Sequence, residues 1–162
     1  MKKRWHFIIV PMGLFILLFF TRLILPTQID DVSSTIPCEK ELLELADVYY
    51  VIPRFNNVSN NKAWCEEILS MNKELAIHGV THEYKEFGTE KNEEYLQVGI
   101  NDFEECFEFT PEKFKPPNLG WTSKNDWMKD KLKIQNKWNQ LTHRVYHCND
   151  TGIYKNWMAK IF

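Results

Sequence analysis

Two imidazoles four residues apart, in Ile77-His78-Gly79-Val80-Thr81-His82, and a pair of adjacent carboxylates, Asp30-Asp31, are the groups in this 162-residue chain best suited to chemistry. If the backbone between His78 and His82 is helical, both rings fall on one face and can chelate a single cation, with a carboxylate as a further ligand. A nitrogen and oxygen donor set of this kind suits zinc or a related divalent metal. Taken alone, H-x-x-x-H is a weak signal, because surface and structural histidines share the spacing. Its setting strengthens it, since the pair directly follows the apolar run Leu75-Ala76-Ile77 and the aspartates follow another apolar segment ending at Ile29. The plainer role for Asp30-Asp31 is a helix cap or turn, with Ser33-Ser34 next in sequence. His143 and His147 add a third polar group near the C-terminal end.

Such groups need elements to hold them. Pro37 to Ala46 opens with a proline suited to a first helical turn and repeats apolar residues at helical spacing. Asp47 to Ile52 is rich in β-branched and aromatic residues and stops at Pro53, which predicts a buried strand. The pattern then alternates: a helix over Asn61 to Met71, a short strand over Glu74 to Ile77, and a helix over Glu93 to Phe107. Phe114-Lys115-Pro116-Pro117 is expected to be extended, because proline lacks an amide donor and restricts the residue before it. Asn125 to Asn139 carries no clear pattern, and Leu141 to His147 alternates like a strand. Strands alternating with helices predict an α/β fold with a mostly parallel sheet, in which ligand sites gather at the carboxyl ends of the strands.

Residues 7–20 carry no charge, and Leu23-Ile24-Leu25 extends the apolar run past Arg22. At a rise of ~1.5 Å per residue, residues 7–25 are just long enough to cross a bilayer core of roughly 30 Å, with Arg22 snorkelling at the outer end. Lys2-Lys3-Arg4 then places the N terminus in the cytoplasm and the rest of the chain outside. The competing assignment, a cleaved secretory signal, lacks an A-x-A-like small-residue pair after the apolar run. Export also fits the sequons Asn57-Val58-Ser59 and Asn149-Asp150-Thr151 and the four cysteines, Cys38, Cys65, Cys106 and Cys148, which can form up to two disulfides in one of three pairings. Outside residues 1–25 the chain has 16 basic against 22 acidic residues, a net −6, which argues against a nucleic-acid partner. Trp121, Trp127, Trp138 and Trp157 could stack sugar rings, although aromatic residues more often fill cores.

The order of Asp30-Asp31, Val51-Ile52-Pro53, Glu74-Leu75-Ala76-Ile77-His78-Gly79-Val80-Thr81-His82 and Phe114-Lys115-Pro116-Pro117 resembles the polysaccharide deacetylase superfamily with the NodB-homology fold. The likeness runs from residue 29 to about residue 120, with a weaker extension over 141–149. It implies a short, deformed (β/α) barrel-like domain over residues 26–162, which follows the cytoplasmic tip and transmembrane anchor expected over 1–25 from the apolar run and its flanking charges. By the same resemblance Asp30 is the catalytic base, Asp31, His78 and His82 are the ligands of a divalent metal, zinc by preference, and His147 is the acid for the leaving group, with His143 in reserve. Lys115 stands where the family usually carries an arginine that orients the base. The implied activity is metal-dependent hydrolysis of an N- or O-linked acetyl group from a cell-surface carbohydrate. The alternative is a catalytically inactive relative that binds a glycan or a protein partner. Because only Pro26 to Ile29 separates Asp30 from the apolar run, either Leu23 to Ile29 is the first strand or the site lies against the lipid, which would favour a membrane-proximal or lipid-linked sugar.

Overall fold

The computed structural model describes residues 6–161 apart from 57, 153 and 154, and the side chains from residue 12 onward. Six parallel strands form one sheet: β1 (Gln28–Val32), β2 (Val48–Val51), β3 (Glu74–His78), β4 (Lys113–Lys115), β5 (Lys133–Ile134) and β6 (Val145–His147). Their order is β5-β4-β3-β2-β1-β6, so the chain starts near one side, walks across the sheet and returns to place β6 beside β1. This is the expected α/β architecture with parallel strands; among the described residues β5 and β6 are its two edges. Every residue of β1 and β2 is buried, as is all of β3 after Glu74. Near-continuous burial is what a parallel sheet covered on both faces demands, and it explains why these segments are apolar runs rather than alternating ones.

The helices are α2 (Lys40–Leu45), α3 (Lys62–Ser70), α4 (Glu93–Phe107), α5 (Asn139–Thr142) and α6 (Asn156–Ile161). Asn61 and Asn92 start α3 and α4 by accepting hydrogen bonds from the amides of Trp64 and Tyr95, the usual service of an N-cap side chain. Along α4, Leu96, Ile100, Phe103 and Phe107 recur at helical spacing and are buried. Each such side chain contributes about 1.5–3 kcal/mol when taken out of water. Gly99 lies on the same face, and a Cβ there would run into Val80, so the helix approaches the His78–His82 loop as closely as backbone allows. The four cysteines form two bridges, Cys38–Cys148 and Cys65–Cys106, the second joining α3 to α4.

Several expectations need correction. The helix predicted from Pro37 begins only at Lys40, leaving Cys38 outside it and in a disulfide. The strand predicted over Leu141 to His147 is shorter, because Leu141 and Thr142 belong to α5 and the chain becomes extended only at Val145. An N-terminal helix, α1, spans His6–Ile24 and the first strand starts at Gln28, so Leu23 to Ile29 is not a strand. Among the described residues no helix is long and apolar enough to cross a membrane. Lys2, Lys3 and Arg4, on which the expected orientation rests, lie outside the described residues, as does Asn57 of the first sequon. Arg22 does not reach away from the domain: its guanidinium donates to the carbonyls of Gln140 and Leu141 and ties α1 to α5.

Candidate metal centre

Because the strands are parallel, their carboxyl ends share one edge of the sheet, and the expected groups gather there. Asp30 pairs in register with His147 across β1 and β6, and His78 pairs with Lys115 across β3 and β4. In a regular strand Asp30 and Asp31 would point to opposite faces. Between Ile29 and Val32, however, β1 advances three residues while β2 advances two, from Tyr49 to Val51. The extra residue is a bulge, and Asp31 takes a left-handed φ of 63°. The distortion turns both carboxylates toward His78, whose Nε2 lies 4.0 Å from Asp30 Oδ2 and 3.4 Å from Asp31 Oδ1.

His78 and His82 meet by a different route from the one their spacing predicts. His78 ends β3, and the chain turns through left-handed residues at Gly79 (φ 66°) and His82 (φ 65°) instead of continuing as a helix. The ring centroids nevertheless lie 4.8 Å apart, and His82 Nε2 is 2.8 Å from Asp31 Oδ1. Glu86, a residue the sequence did not single out, shapes this turn. Its buried carboxylate accepts the backbone N–H groups of Val80, Thr81 and His82 and the hydroxyl of Tyr95. A glutamate four residues beyond the second histidine was the available signal.

One ligand atom from each of Asp31, His78 and His82 falls within 4.8 Å of the others. His78 Nδ1 is 3.0 Å from the carbonyl oxygen of Lys115, which can only accept, so Nδ1 carries the ring proton. In the neutral ring Nε2 then presents a lone pair to Asp31 Oδ1. That oxygen is buried and receives no aligned hydrogen bond. Two imidazole nitrogens and an orphaned carboxylate oxygen directed at one point repel unless a cation or proton lies between them. The donor chemistry therefore fits a divalent metal, with Lys115 O fixing the tautomer of one ligand.

The other groups surround this set. His147 Nδ1 lies 3.1 Å from Asp31 Oδ2, and the Thr151 hydroxyl donates to the same oxygen. Despite burial, which opposes ionisation, contacts with His147, His78 and His82 hold the Asp31 carboxyl far below the usual carboxylate range. Burial also disfavours the charged forms of His82 and His147, yet Asp31 outweighs it and raises both. Lys115 is 1% exposed, as is Asp30, and its Nζ lies 2.9 and 2.8 Å from the two oxygens of Asp30. Gln28 Oε1 accepts from the same ammonium, and Tyr50 presents its ring 4.8 Å away. Burial lowers the Lys115 pKa, and Asp30 works against that shift. Gln140 Nε2 reaches Asp30 Oδ2 at 3.5 Å. The expected reserve acid, His143, is turned elsewhere, with Nδ1 facing the Asn139 carbonyl and the Thr142 hydroxyl. Of the tryptophans, Trp121 stacks on Phe87 and packs against the core, while Trp138 and Trp157 are exposed.

Above these residues opens a pocket of about 260 Å³, lined by both aspartates, His78, His82, Lys115 and His147, with Leu119 and Gly152 on its walls. The mutually compensated charged groups that line it, and the convergence of three potential metal ligands there, make it the candidate reaction site.

No protein family model and no curated protein matches the sequence. Among solved structures, a CE4 family pseudoenzyme from Bacillus anthracis is 17% identical with a TM-score of 0.44, over 54% of this chain and 31% of its own. The Xyl-CE4 domain of a multidomain xylanase from the hindgut metagenome of Trinervitermes trinervoides is 15% identical with a TM-score of 0.41, over 67% of this chain and 55% of its own. The chain thus spans about a third of the first structure and just over half of the second. Both of these structures are CE4 proteins.

Proposed function

We propose that this chain is a metal-dependent carbohydrate deacetylase-like hydrolase that removes an N- or O-linked acetyl group from a cell-surface glycan. The observation that carries the proposal is the convergence of His78 Nε2 and His82 Nε2 on the unsatisfied Asp31 Oδ1, beside a second carboxylate held by a buried ammonium. Asp31, His78 and His82 would hold the metal. A divalent cation bound there supplies Lewis acidity toward an acetyl carbonyl and lowers the pKa of water to about 7.

Asp30 is suited to be the base. It faces the pocket, its charge is balanced by Lys115, and Gln140 helps to fix its orientation. Lysine delivers this charge as a point rather than a planar fork, but Gln28 and the Tyr50 ring confine Nζ and supply the orientation that an arginine would provide through its own shape. His147 is suited to protonate the leaving group: Asp31 accepts from Nδ1 and favours the cation, while the Nε2 edge lies against Gly152 on the pocket wall. Water attacks, Asp30 takes its proton, and His147 returns one to the departing amine or alcohol as the bond to the acetyl carbon breaks.

The domain over residues 26–162 would work outside the membrane, held there by the N-terminal segment. Two intramolecular disulfides support an oxidising compartment. The exposed apolar side chains of α1, among them Leu14, Leu17 and Phe20, support a lipid-facing role for that helix. Acetate release from acetylated amino-sugar oligomers tests the proposal. The full chain should free acetate, and Asp30→Asn should lower the rate at least 100-fold. Metal retained without acetate release, and with Asp30→Asn silent, would make this a binding domain instead.

A further inference from the structure

A second cavity, of about 430 Å³, lies on the far side of Gln140 from the candidate metal centre. Phe15 of α1, Leu141 of α5, Val145 of β6, and Met158 and Ala159 of α6 form its apolar walls. Its charged lining residues are Arg22 and Lys137, with no acidic side chain among the described residues. Arg144, immediately before Val145, acts electrostatically on Arg22 from outside the cavity lining. Neither arginine has a carboxylate partner among the described residues, and the Nε atoms of both are buried without a hydrogen-bond acceptor. A cationic lining of Arg22 and Lys137, with the Arg22 Nε–H left unpaired, calls for an anion, and the surrounding walls call for an apolar chain.

Gln140 connects this cavity to the first one. It lines both; its carbonyl accepts from Arg22, and its side-chain amide reaches Asp30. A molecule with its phosphate at Arg22 and Lys137 would therefore have its next group one side chain away from the carboxylate proposed as base. We infer that the second cavity seats the phosphate and the apolar chain of a lipid-linked acetylated sugar, whose sugar enters the first pocket. This assignment rests on the proposed hydrolase function for the identity of the sugar, whereas the phosphate and chain contacts stand on the cavity itself.

The test is a set of titrations of the full chain in phosphatidylcholine nanodiscs with farnesol, farnesyl phosphate and N-acetylglucosaminyl farnesyl phosphate, followed by tryptophan fluorescence. Farnesyl phosphate should bind at least tenfold tighter than farnesol, and the sugar-bearing compound at least threefold tighter again. Arg22→Gln should reduce the phosphate preference to under threefold, and Lys137→Ala, at an exposed position that leaves the fold intact, should halve it or more. His78→Ala should leave the phosphate preference unchanged, so loss of the hydrolase function and loss of this site are separate results. Equal binding of farnesol and farnesyl phosphate, or full preference in both the Arg22→Gln and the Lys137→Ala variants, would overturn the inference. So would displacement of the probe by phosphatidylglycerol nanodiscs, which would make the cavity a seat for bulk lipid headgroups, or a sugar that adds nothing to affinity.

Discussion

Lys115 Nζ lies 2.8 Å from Asp30 Oδ2, with both side chains almost wholly excluded from solvent. Removing one member of such a pair leaves the other charged and unpaired in a low-dielectric interior, at a cost of about 3–5 kcal/mol. Lys115→Met should accordingly lower the melting temperature by roughly 10 °C. Asp30→Asn added to it should recover part of the loss, because the uncompensated carboxylate is then gone. Melting curves of the two single variants and the double variant check this; a Lys115→Met protein that melts with the parent would show that Asp30 does not depend on the lysine.

Glu86 holds three consecutive amides of the turn that delivers His82. Glutamine offers one carbonyl oxygen where the carboxylate offers two, so Glu86→Gln should loosen that turn. The expected result is a 10–100-fold weaker metal affinity, the usual range for a group that positions a ligand. Competition with a chromophoric chelator measures it, and a change of less than twofold would remove Glu86 from this role.

Gly79 combines a left-handed backbone with contact on both sides: a Cβ there would overlap Glu86 Oε2 and sit 2.5 Å from Pro117 Cγ. Gly79→Ala should therefore destabilise the fold by more than the ~1–2 kcal/mol of the backbone conformation alone. A urea titration would show a midpoint well below that of the parent. An unchanged midpoint would mean that the turn has another way to close.

The two disulfides close long stretches of chain, with separations of 110 residues for Cys38–Cys148 and 41 for Cys65–Cys106. Chain-entropy reasoning gives about 5 and about 4 kcal/mol respectively. Double serine replacement of either pair should cost a large part of the domain's stability. Thiol titration of the unfolded, unreduced protein should find no free thiol, and four free thiols would contradict the pairing.

The sequence made the groups visible and left the route to their meeting hidden. Asp30 and Asp31 stood out by following an apolar segment, but nothing in their neighbours signals the bulge that turns both to one side. The spacing of His78 and His82 implied a helical turn, whereas two left-handed residues accomplish the convergence, and of these only Gly79 has a residue type that announces it. The helices α3 and α4 were legible because their apolar positions repeat over several turns and asparagine marks their starts. By contrast, β5 is two residues long, too short for a period to show, and the alternation that marked β6 ran on into residues of α5, so its start was misplaced. Gln140 and Thr151 contact the site through folding of distant segments, so no local pattern pointed to them, whereas Glu86 could be found only from its position four residues after His82.

The account depends most on a cation held between His78, His82 and Asp31. Elemental analysis of protein purified without chelators, beside His78→Ala, His82→Ala and Asp31→Ala, tests this directly. One divalent metal per chain in the parent, falling below a tenth in each variant, is the predicted result. A parent protein that stays metal-free after dialysis against zinc, or variants that keep the metal in full, would contradict it.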